Sequence, residues 1–265
     1  MIGVSEVSEP DYGIDAPGVR RGMLIAGIGG VALCSVAVTA AVRATGAVAT
    51  VSGWAAAGAA LLAIYGLGMA AYMTYGSRVG KRHDRERLLD LADVVSPLTG
   101  CEAVLDVGGG RGLMLVGAAR RLTTGVAVGI DLWRAEDQDA NMPEAPLDNA
   151  RREGVADRVS VATADARVLP FADRSFDAVV SHWVVHNLPD AADRARVLDE
   201  MLRVLRPGGV LVLADIAHHE AYRAHLVERG LGDLRILDGG LEAAMAGALS
   251  GGTFRPKAIV GRRGG

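Results

Sequence analysis

From residue 22 to residue 77 the chain carries one charged side chain, Arg43, and this run limits what the N-terminal part can fold into. Arg43 separates two charge-free windows, 22–42 and 44–77, and each is at least as long as the roughly 20 apolar residues that a helix needs to cross a bilayer. Within the second window, residues 54–75 are the predicted span, and Trp54, Tyr72 and Tyr75 lie near its ends, where amphipathic rings favour the membrane interface. We therefore predict a transmembrane helical hairpin over residues 20–77.

The basic residues predict how this hairpin is oriented. Arg20 and Arg21 precede the first window and the run RVGKRHDRER (78–87) follows the second, whereas the connection between the windows holds only Arg43. The positive-inside rule then puts both termini, and everything after residue 78, in the cytoplasm. Residues 78–90 are predicted to be a basic juxtamembrane linker that can rest on anionic headgroups of the lipid bilayer.

Two other interpretations of the apolar windows stay open. A paired arginine before an apolar run is typical of a secretory or twin-arginine signal, although a cleaved signal needs only one window. The windows can also be two buried helices of a protein that does not enter a membrane. Residues 1–19, with Pro10, Pro17 and several acidic side chains, are predicted to be a flexible cytoplasmic tail.

From about residue 88 the pattern changes to short apolar runs that alternate with amphipathic, charged stretches. This alternation predicts βαβ units and a mostly parallel sheet that helices cover on both faces. We assign an α/β domain with a closing antiparallel strand to residues 91–265. The predicted strands are 103–107, 126–131, 158–163, 176–181, 209–215, 234–238 and 257–263, and the predicted helices are 113–122, 144–153, 191–205 and 220–229.

Charge and cysteine content exclude several classes of function. The formal net charge of −3 gives no general attraction to nucleic acid, so we predict no nucleic-acid partner. Cys34 and Cys101 are the only cysteines, which is too few for a disulfide framework or a cysteine-rich metal site and suits a reducing compartment.

The segment VLDVGGGRG (104–112) places a glycine cluster directly after the first predicted strand. In open parallel sheets, ligands bind beyond the carboxyl ends of the strands, and glycines let a ligand approach the backbone closely. Asp131 ends the second predicted strand, where an acid can accept hydrogen bonds from both hydroxyls of a ribose. These features predict a nucleotide-like cofactor; a plain turn for the glycines and a helix cap for Asp131 are the alternatives.

Four motifs, in order and with matching spacing, resemble those of the class I S-adenosylmethionine-dependent methyltransferases. The first is Asp/Glu-x-Gly-x-Gly-x-Gly, which Asp106, Gly108, Gly110 and Gly112 match. The others are VGID (128–131), TADARVLPFADRSFDAVVSHWVVHN (163–187) and MLRVLRPGGVLVLAD (201–215). The resemblance covers residues 80–265 and implies a Rossmann-like fold, S-adenosyl-L-methionine as cofactor and a small-molecule acceptor.

The resemblance also implies a set of cofactor-binding residues, whereas the residues themselves predict no metal site. Asp131 would bind the ribose and Asp165 would lie near the adenine amino group. The full set is Asp106, Gly108, Gly109, Gly110, Gly112, Asp131, Leu132, Asp165, Ala166 and Ser181.

Within this superfamily, the segments LPF-x-D-x-SFD and LRPGG are most similar to the ubiquinone/menaquinone C-methyltransferase branch, which also includes sterol, arsenite and many small-molecule enzymes. Two departures from the patterns of known methyltransferases narrow the range of expected acceptors. The domain holds only Cys101, whereas the arsenite enzymes need several cysteines, and no Asn-Pro-Pro-Tyr follows the fourth strand, so methylation of an adenine or glutamine amino group is not expected.

The segment SHWVVHN (181–187), at the end of the fourth predicted strand, holds the candidate catalytic residues His182 and His186. If a helical turn follows the strand, their spacing of four puts both on one face, and imidazole suits general-base catalysis near neutral pH. Packing beside the cofactor or lining the pocket are the alternative roles. A metal held by these histidines together with His218 and His219 finds no support from a carboxylate pattern.

The stretch LWRAEDQDAN (132–141) follows the ribose acid and is either a substrate lid or a solvated loop. Within it, Trp133 is placed either to stack on adenine or to pack in the core.

The sequence thus favours an integral membrane enzyme that transfers the methyl group of S-adenosylmethionine to a small lipophilic acceptor, with a homo-oligomer possible. A broad-specificity methyltransferase of thiols, hydroxyls or amines is the second enzyme hypothesis. A cofactor-binding membrane sensor without catalysis is the alternative outside enzymology. A dehydrogenase is disfavoured by the LRPGG and LPF-x-D-x-SFD segments.

Overall fold

The computed structural model describes residues 9–134, 138, 140–239, 243–244, 247–248, 250, 252 and 254–265. The described residues form two compact units. One consists of residues 13–81 together with 138 and 140, and the other of residues 9–12, 82–134 and the described residues from 141 onward.

The first unit is a helical hairpin. Helices α1 (Pro17–Arg43) and α2 (Gly46–Tyr75) run against each other, and a π-helical turn, Gly76–Gly80, continues α2. Both helices are long and apolar enough to cross a membrane, by length and composition alone. Most of their large side chains point away from the partner helix, as at Trp54, which is 77% exposed.

Glycines bring the two helices into backbone contact. A Cβ added at Gly30 would lie 2.6 Å from the Ala63 nitrogen, and one at Gly66 would lie 2.6 Å from the Gly27 nitrogen. Such distances leave no room for a side chain, so small residues at these positions are what allows the close approach. Neighbouring glycines such as Gly29 have open space around them.

A polar cluster joins the two ends of the hairpin unit. Lys81 is 4% exposed, and its ammonium donates to the Gly13 carbonyl at 2.8 Å and to the Asp15 carboxylate at 3.2 Å. The Ser77 hydroxyl donates to the other carboxylate oxygen of Asp15 at 3.3 Å. The buried ammonium is therefore both paired and hydrogen-bonded, as a buried charge requires.

The second unit is a seven-stranded sheet with helices. The strand order is β3-β2-β1-β4-β5-β7-β6, in which β7 is antiparallel to both of its neighbours and the other pairs are parallel. The strands are β1 (Ala103–Val107), β2 (Val126–Asp131), β3 (Val159–Thr163), β4 (Phe176–His182), β5 (Leu205–Asp215), β6 (Leu231–Asp238) and β7 (Lys257–Arg263). The helices are α3 (Lys81–Val95), α4 (Leu113–Arg121), α5 (Glu144–Arg152), α6 (Ala191–Val204) and α7 (His219–Glu228).

The apolar runs of the central strands are buried, since helices cover the sheet. Leu105 and Val107 of β1 and Leu211 of β5 are fully buried, which is why these strands read as continuous apolar runs rather than alternating ones. The predicted seven strands and the closing antiparallel strand are confirmed. Because β1, β2, β4 and β5 are parallel, their carboxyl ends lie along one edge of the sheet, and the strand order reverses next to β1.

Two N-terminal predictions differ from the structure. Residues 78–90, predicted as a linker, are helical, because the apolar side chains Leu88 and Leu89 give α3 a buried face. Of the predicted flexible tail, residues 1–8 lie outside the described residues, residues 9–12 are docked on the second unit, and α1 already begins at Pro17. Side chains from several distant elements hold this docked segment, so no local pattern signals it.

Candidate functional site

The glycine cluster forms a tight loop between β1 and α4. The amides of Gly108 and Gly109 donate to the Ile130 carbonyl of β2 at 2.8 and 2.9 Å. Gly108 has φ 75°, and a Cβ there would lie 2.3 Å from a methyl of Val184, so the segment after β4 packs directly on this loop. At Gly112, with φ 84°, a Cβ would lie 2.8 Å from the Cβ of Pro146. Both positions require glycine, because the backbone has a positive φ and because there is no space for a Cβ atom.

Asp131 lies where the sequence predicted a ribose acid, at the carboxyl end of β2. One carboxylate oxygen accepts a hydrogen bond from the Gly110 amide at 2.9 Å, and the other accepts from the Trp133 amide at 2.6 Å. The glycine loop and Asp131 are therefore connected directly. Asn141 adds its side-chain amide, which donates to Asp131 at 3.3 Å.

Asn141 was not identified from the sequence. It is buried, and within the described part of the chain its Oδ1 atom has no hydrogen-bond partner. A buried acceptor without a partner costs free energy unless a donor from a ligand satisfies it. A hydroxyl-bearing ligand beside Asp131 would supply that donor, so the residues present fit a ribose.

Asp106, the first residue of the motif, is 1% exposed and points into the domain. Its carboxylate accepts a hydrogen bond from the Leu115 amide at 2.8 Å, which fixes the start of α4 beneath the glycine loop. Burial raises the pKa of Asp106 to about 7, with a further contribution from the negative charge of Asp131, while the Leu115 amide acts in the opposite direction. Asp106 therefore supports the loop from below rather than lining its surface.

The raised pKa of Asp106 predicts a pH dependence of stability. Between the ordinary pKa of 3.8 and about 7, the native state holds a proton that the unfolded state has lost, so this group makes the free energy of unfolding fall as pH rises. Asp106→Asn keeps an oxygen for the Leu115 amide but does not titrate. We expect the variant to gain stability over the wild type between about pH 5 and pH 8, by on the order of 1–4 kcal/mol at the upper end.

Urea unfolding of the full-length protein in detergent at both pH values measures this difference. Asp190→Asn, at an exposed position before α6, is the control. A difference between Asp106→Asn and wild type that stays constant with pH, or that shrinks as pH rises, would contradict the assignment.

Asp165 and Ser181 already have partners within the protein. Asp165 follows β3, and Arg167 binds its carboxylate through Nε at 3.0 Å and Nη2 at 2.6 Å; hydrogen bonding to this guanidinium lowers the pKa of Asp165. Ser181 is fully buried and donates to the Val107 carbonyl at 2.9 Å, so its hydroxyl joins β4 to β1. Leu132 is exposed after β2, and Ala166 is half-buried beside Asp165.

Trp133 is held by a hydrogen bond to the neighbouring strand. It has φ 57°, and its indole N–H donates to the Thr163 hydroxyl at 2.8 Å, so the ring is held between the ends of β2 and β3. Of the stretch 132–141, predicted to be either a lid or a solvated loop, residues 135–137 and 139 lie outside the described residues.

The two candidate histidines have different surroundings. The chain does not continue as a helix after β4: Trp183 has φ 59°, and a short 3₁₀ turn covers Val185–Asn187. The ring of His182 stacks on Trp183 with centroids 4.8 Å apart, and Trp183 meets Phe254 edge-on at 5.4 Å. His182 therefore belongs to an aromatic group beside the strand ends.

His186 pairs with a buried carboxylate that was not identified from the sequence. Its Nδ1 atom lies 2.5 Å from Oδ1 of Asp215, the last residue of β5, and its backbone amide donates to Oδ2 of Asp215 at 3.0 Å. Asp215 is 1% exposed and is further held by the Ile216 amide at 2.8 Å. Since a carboxylate only accepts hydrogen bonds, this contact puts the proton on Nδ1 and leaves Nε2 as the basic nitrogen.

Tyr222 of α7 lies near the same carboxylate. Its ring is 2% exposed, and burial, followed by the charge of Asp215, raises the pKa of its hydroxyl. Among the described residues, no group of three or more His, Cys, Asp or Glu side chains has the geometry to hold a metal ion.

The segment that holds this site also matches a known protein family. Residues 105–213 match a family model described as a methyltransferase domain. The matched segment runs from β1 almost to the end of β5, so it contains the glycine loop, Asp131 and His186. It ends two residues before Asp215.

Among curated relatives, the chain is 43% identical over 113 residues to methyltransferase GfsG of Streptomyces halstedii, covering 43% of this chain and 37% of the relative. It is 36% identical over 129 residues to 27-O-demethylrifamycin SV methyltransferase of Amycolatopsis mediterranei, covering 49% and 44%. A demethylmenaquinone methyltransferase of a Roseiflexus species is 33% identical over 144 residues, covering 53% and 54%. The chain thus spans about half or less of the length of these relatives.

Among solved structures, the [4+2]-cyclase SpnF superposes with a TM-score of 0.53 at 23% identity, covering 68% of this chain and 81% of that one. At this identity the likeness concerns the fold alone. That neighbour is named as a cyclase, and a shared fold does not by itself determine which reaction a chain catalyses.

Proposed function

We propose, from the premise that residues 105–213 form a methyltransferase domain of the S-adenosylmethionine-dependent class, that the chain is a membrane-anchored enzyme which methylates a small lipophilic acceptor at a hydroxyl group. The observation that carries this proposal is the pairing of His186 with buried Asp215 at the edge that also holds the glycine loop and Asp131.

The cofactor-binding role is assigned to the loop and the end of β2. Asp131 and the buried Oδ1 of Asn141 would hold the ribose hydroxyls, and the backbone of Gly108–Gly112 would lie against the rest of the cofactor. Bound S-adenosylmethionine supplies a methyl group on a positively charged sulfur, ready for in-line displacement. The protein contributes by holding donor and acceptor in line and by excluding water.

The proton of the acceptor is assigned to His186. A hydroxyl oxygen becomes a far better nucleophile as its proton leaves, and a general base contributes roughly 10²–10⁴-fold to such a step. Asp215 fixes the ring so that Nε2 receives the proton, and the carboxylate then stabilises the imidazolium. The rifamycin relative, whose name records an O-methyl position, supports a hydroxyl acceptor.

A lipophilic acceptor and membrane anchoring are supported by the hairpin unit and by the aromatic group His182, Trp183 and Phe254. Many of the exposed side chains of α1 and α2 are large and apolar, and exposed apolar surface of this extent favours a lipid environment. An acceptor dissolved in the bilayer would be concentrated where the enzyme is held.

The proposal is tested with full-length protein in detergent, methyl-labelled S-adenosylmethionine and a lipid extract of the source cells. We expect label in the organic phase, released by reagents that cleave methyl ethers, and roughly 100-fold less in Asp131→Ala, which loses two charge-assisted hydrogen bonds to the ribose. Asp157→Ala, at an exposed site near β3, is the control.

Other outcomes separate the hypotheses. Label only in water-soluble products would favour a broad-specificity small-molecule methyltransferase. The hairpin would then only localise the enzyme at the membrane. Cofactor binding without any labelled product would favour the hypothesis of a non-catalytic, cofactor-binding membrane sensor. Membrane anchoring is tested separately: after alkaline carbonate washing, the chain should stay with the membrane pellet, and its release would contradict the anchor.

A further inference from the structure

Residues 9–12, here called the N-terminal strap, are bound to the sheet unit through their backbone. The three successive carbonyls of the strap each accept hydrogen bonds from side chains of different elements: Glu9 from Arg152 at 3.0 Å, Pro10 from Arg82 at 2.7 Å, and Asp11 from both Asn149 and Arg111. Four side chains from α3, α5 and the glycine loop thus converge on a segment whose sequence is typical of a disordered tail.

Tyr12 anchors the end of the strap. Its ring is 3% exposed within the main hydrophobic cluster, and the Arg85 guanidinium lies 5.6 Å from the ring centre. The hydroxyl of Tyr12 donates to Glu153 and accepts from Arg85 at 3.0 Å. This buried network fixes where the strap ends, independently of the contacts at Asp11.

Asn149 of α5 connects the strap to the glycine loop. It is 1% exposed, and its amide makes three hydrogen bonds: Oδ1 accepts from the Asp11 amide at 2.9 Å, and Nδ2 donates to the carbonyls of Asp11 at 2.8 Å and Arg111 at 2.9 Å. One buried side chain therefore holds the backbone of the strap and the backbone of the loop together. If the strap leaves, this buried amide loses its two hydrogen bonds to the Asp11 backbone, which is costly.

The side chain of Arg111, in the glycine loop, also binds Asp11 of the strap. Its Nε atom donates to the Asp11 carbonyl at 2.9 Å, and its Nη2 atom pairs with the Asp11 carboxylate at 2.9 Å. Arg111 stands between Gly110, whose amide binds Asp131, and Gly112, whose φ is 84°. The strap thus binds the side chain of Arg111, and Asn149, which also binds the strap, holds the Arg111 carbonyl in the middle of the glycine loop.

We propose that the N-terminal strap, acting through Asn149 and Arg111, holds the glycine loop in its cofactor-binding conformation, and that Asn149 is a positioning residue for S-adenosylmethionine. This inference rests on the proposed cofactor site. Glycines have many alternative conformations, and a ligand's apparent affinity falls in proportion to the fraction of molecules in the competent one. The strap raises that fraction without touching the ligand.

The test uses full-length protein in detergent and S-adenosylhomocysteine as the probe. Tyr12→Ala removes the anchor, and Asp11→Ala removes the pair with Arg111; Glu9→Ala, whose side chain is 91% exposed, is the matched control in the same strap. We expect calorimetry to show a dissociation constant roughly 10–100-fold higher for Tyr12→Ala than for the wild type. The increase should be smaller for Asp11→Ala, and the dissociation constant of Glu9→Ala should be unchanged. Asn149→Asp, which keeps the acceptor but loses both donors, should resemble Tyr12→Ala.

Two further measurements distinguish positioning from general stability. Amide hydrogen exchange of residues 108–112, without ligand, should be faster in Tyr12→Ala than in Glu9→Ala while the strands keep their protection. Rates of methyl transfer should show a raised KM for S-adenosylmethionine with kcat at saturation little changed.

Unchanged affinity and unchanged loop exchange in folded Tyr12→Ala and Asp11→Ala proteins would overturn the proposal. Failure of the wild type to bind S-adenosylhomocysteine would instead refute the proposed cofactor site. In that case the exchange rates alone decide whether the strap holds the loop.

Discussion

His186→Gln is expected to lower the rate of methyl transfer by roughly 10²–10⁴-fold, the range that a positioned general base contributes. Glutamine keeps hydrogen-bonding groups and comparable size but cannot take a proton. Asp215→Asn should lose a large part of the same factor, because an amide can donate to Nδ1 and so shift the proton to Nε2. The measurement is the initial rate of label transfer at saturating S-adenosylmethionine, with S-adenosylhomocysteine affinity measured alongside.

His225→Gln provides a matched control, since His225 also pairs with a carboxylate, Asp199, at 2.6 Å, but lies on α7 facing α6. Its rate should stay near that of the wild type. Raising the pH should partly restore His186→Gln, because solvent hydroxide then deprotonates the acceptor. A His186→Gln enzyme with full activity, or one that has lost cofactor affinity to the same extent as activity, would rule out the proposed base.

The strands, the glycine loop and Asp131 could be predicted because each has a local cause. Buried strands appear as apolar runs, and positions with positive φ or no space for a Cβ appear as glycines, as at Gly108 and Gly112. The place of Asp131 follows from the register of β1 and β2, in which Asp106 pairs with Gly129. These features lie within a few residues of each other or on adjacent strands.

The role of Asp215 could not be predicted from the same patterns. Its position at the end of β5 was visible, but which histidine it meets depends on the backbone of Trp183, where φ is 59° in a bulky residue. No propensity favours that conformation, and a regular helical turn would have put His182 and His186 on one face. The strap escaped prediction for a related reason: its partners, among them Asn149 and Arg111, come from separate elements.

Gly30→Leu is expected to separate the two helices of the hairpin unit. A Cβ at this position would lie 2.6 Å from the Ala63 nitrogen and 2.9 Å from the Ala59 carbonyl, so the side chain would collide with backbone rather than with a movable side chain. Helix packing in lipid or detergent depends on such close backbone contact, because burial of apolar surface adds little there. We expect a loss of about 3 kcal/mol in the free energy of unfolding.

Gly29→Leu is the control, since Gly29 precedes Gly30 in the same helix but has nothing within 4 Å of its Cβ position. It should change the free energy of unfolding by less than about 0.5 kcal/mol.

In a Trp133→Phe, Trp183→Phe background, Trp54 is the only tryptophan, and its fluorescence during titration of detergent-solubilised protein with dodecyl sulfate reports on the unfolding of α2. Equal effects of the two leucines would mean that added bulk, not the helix contact, is being measured. A larger effect at Gly30 would show that a glycine contact, not apolar burial, holds α1 against α2.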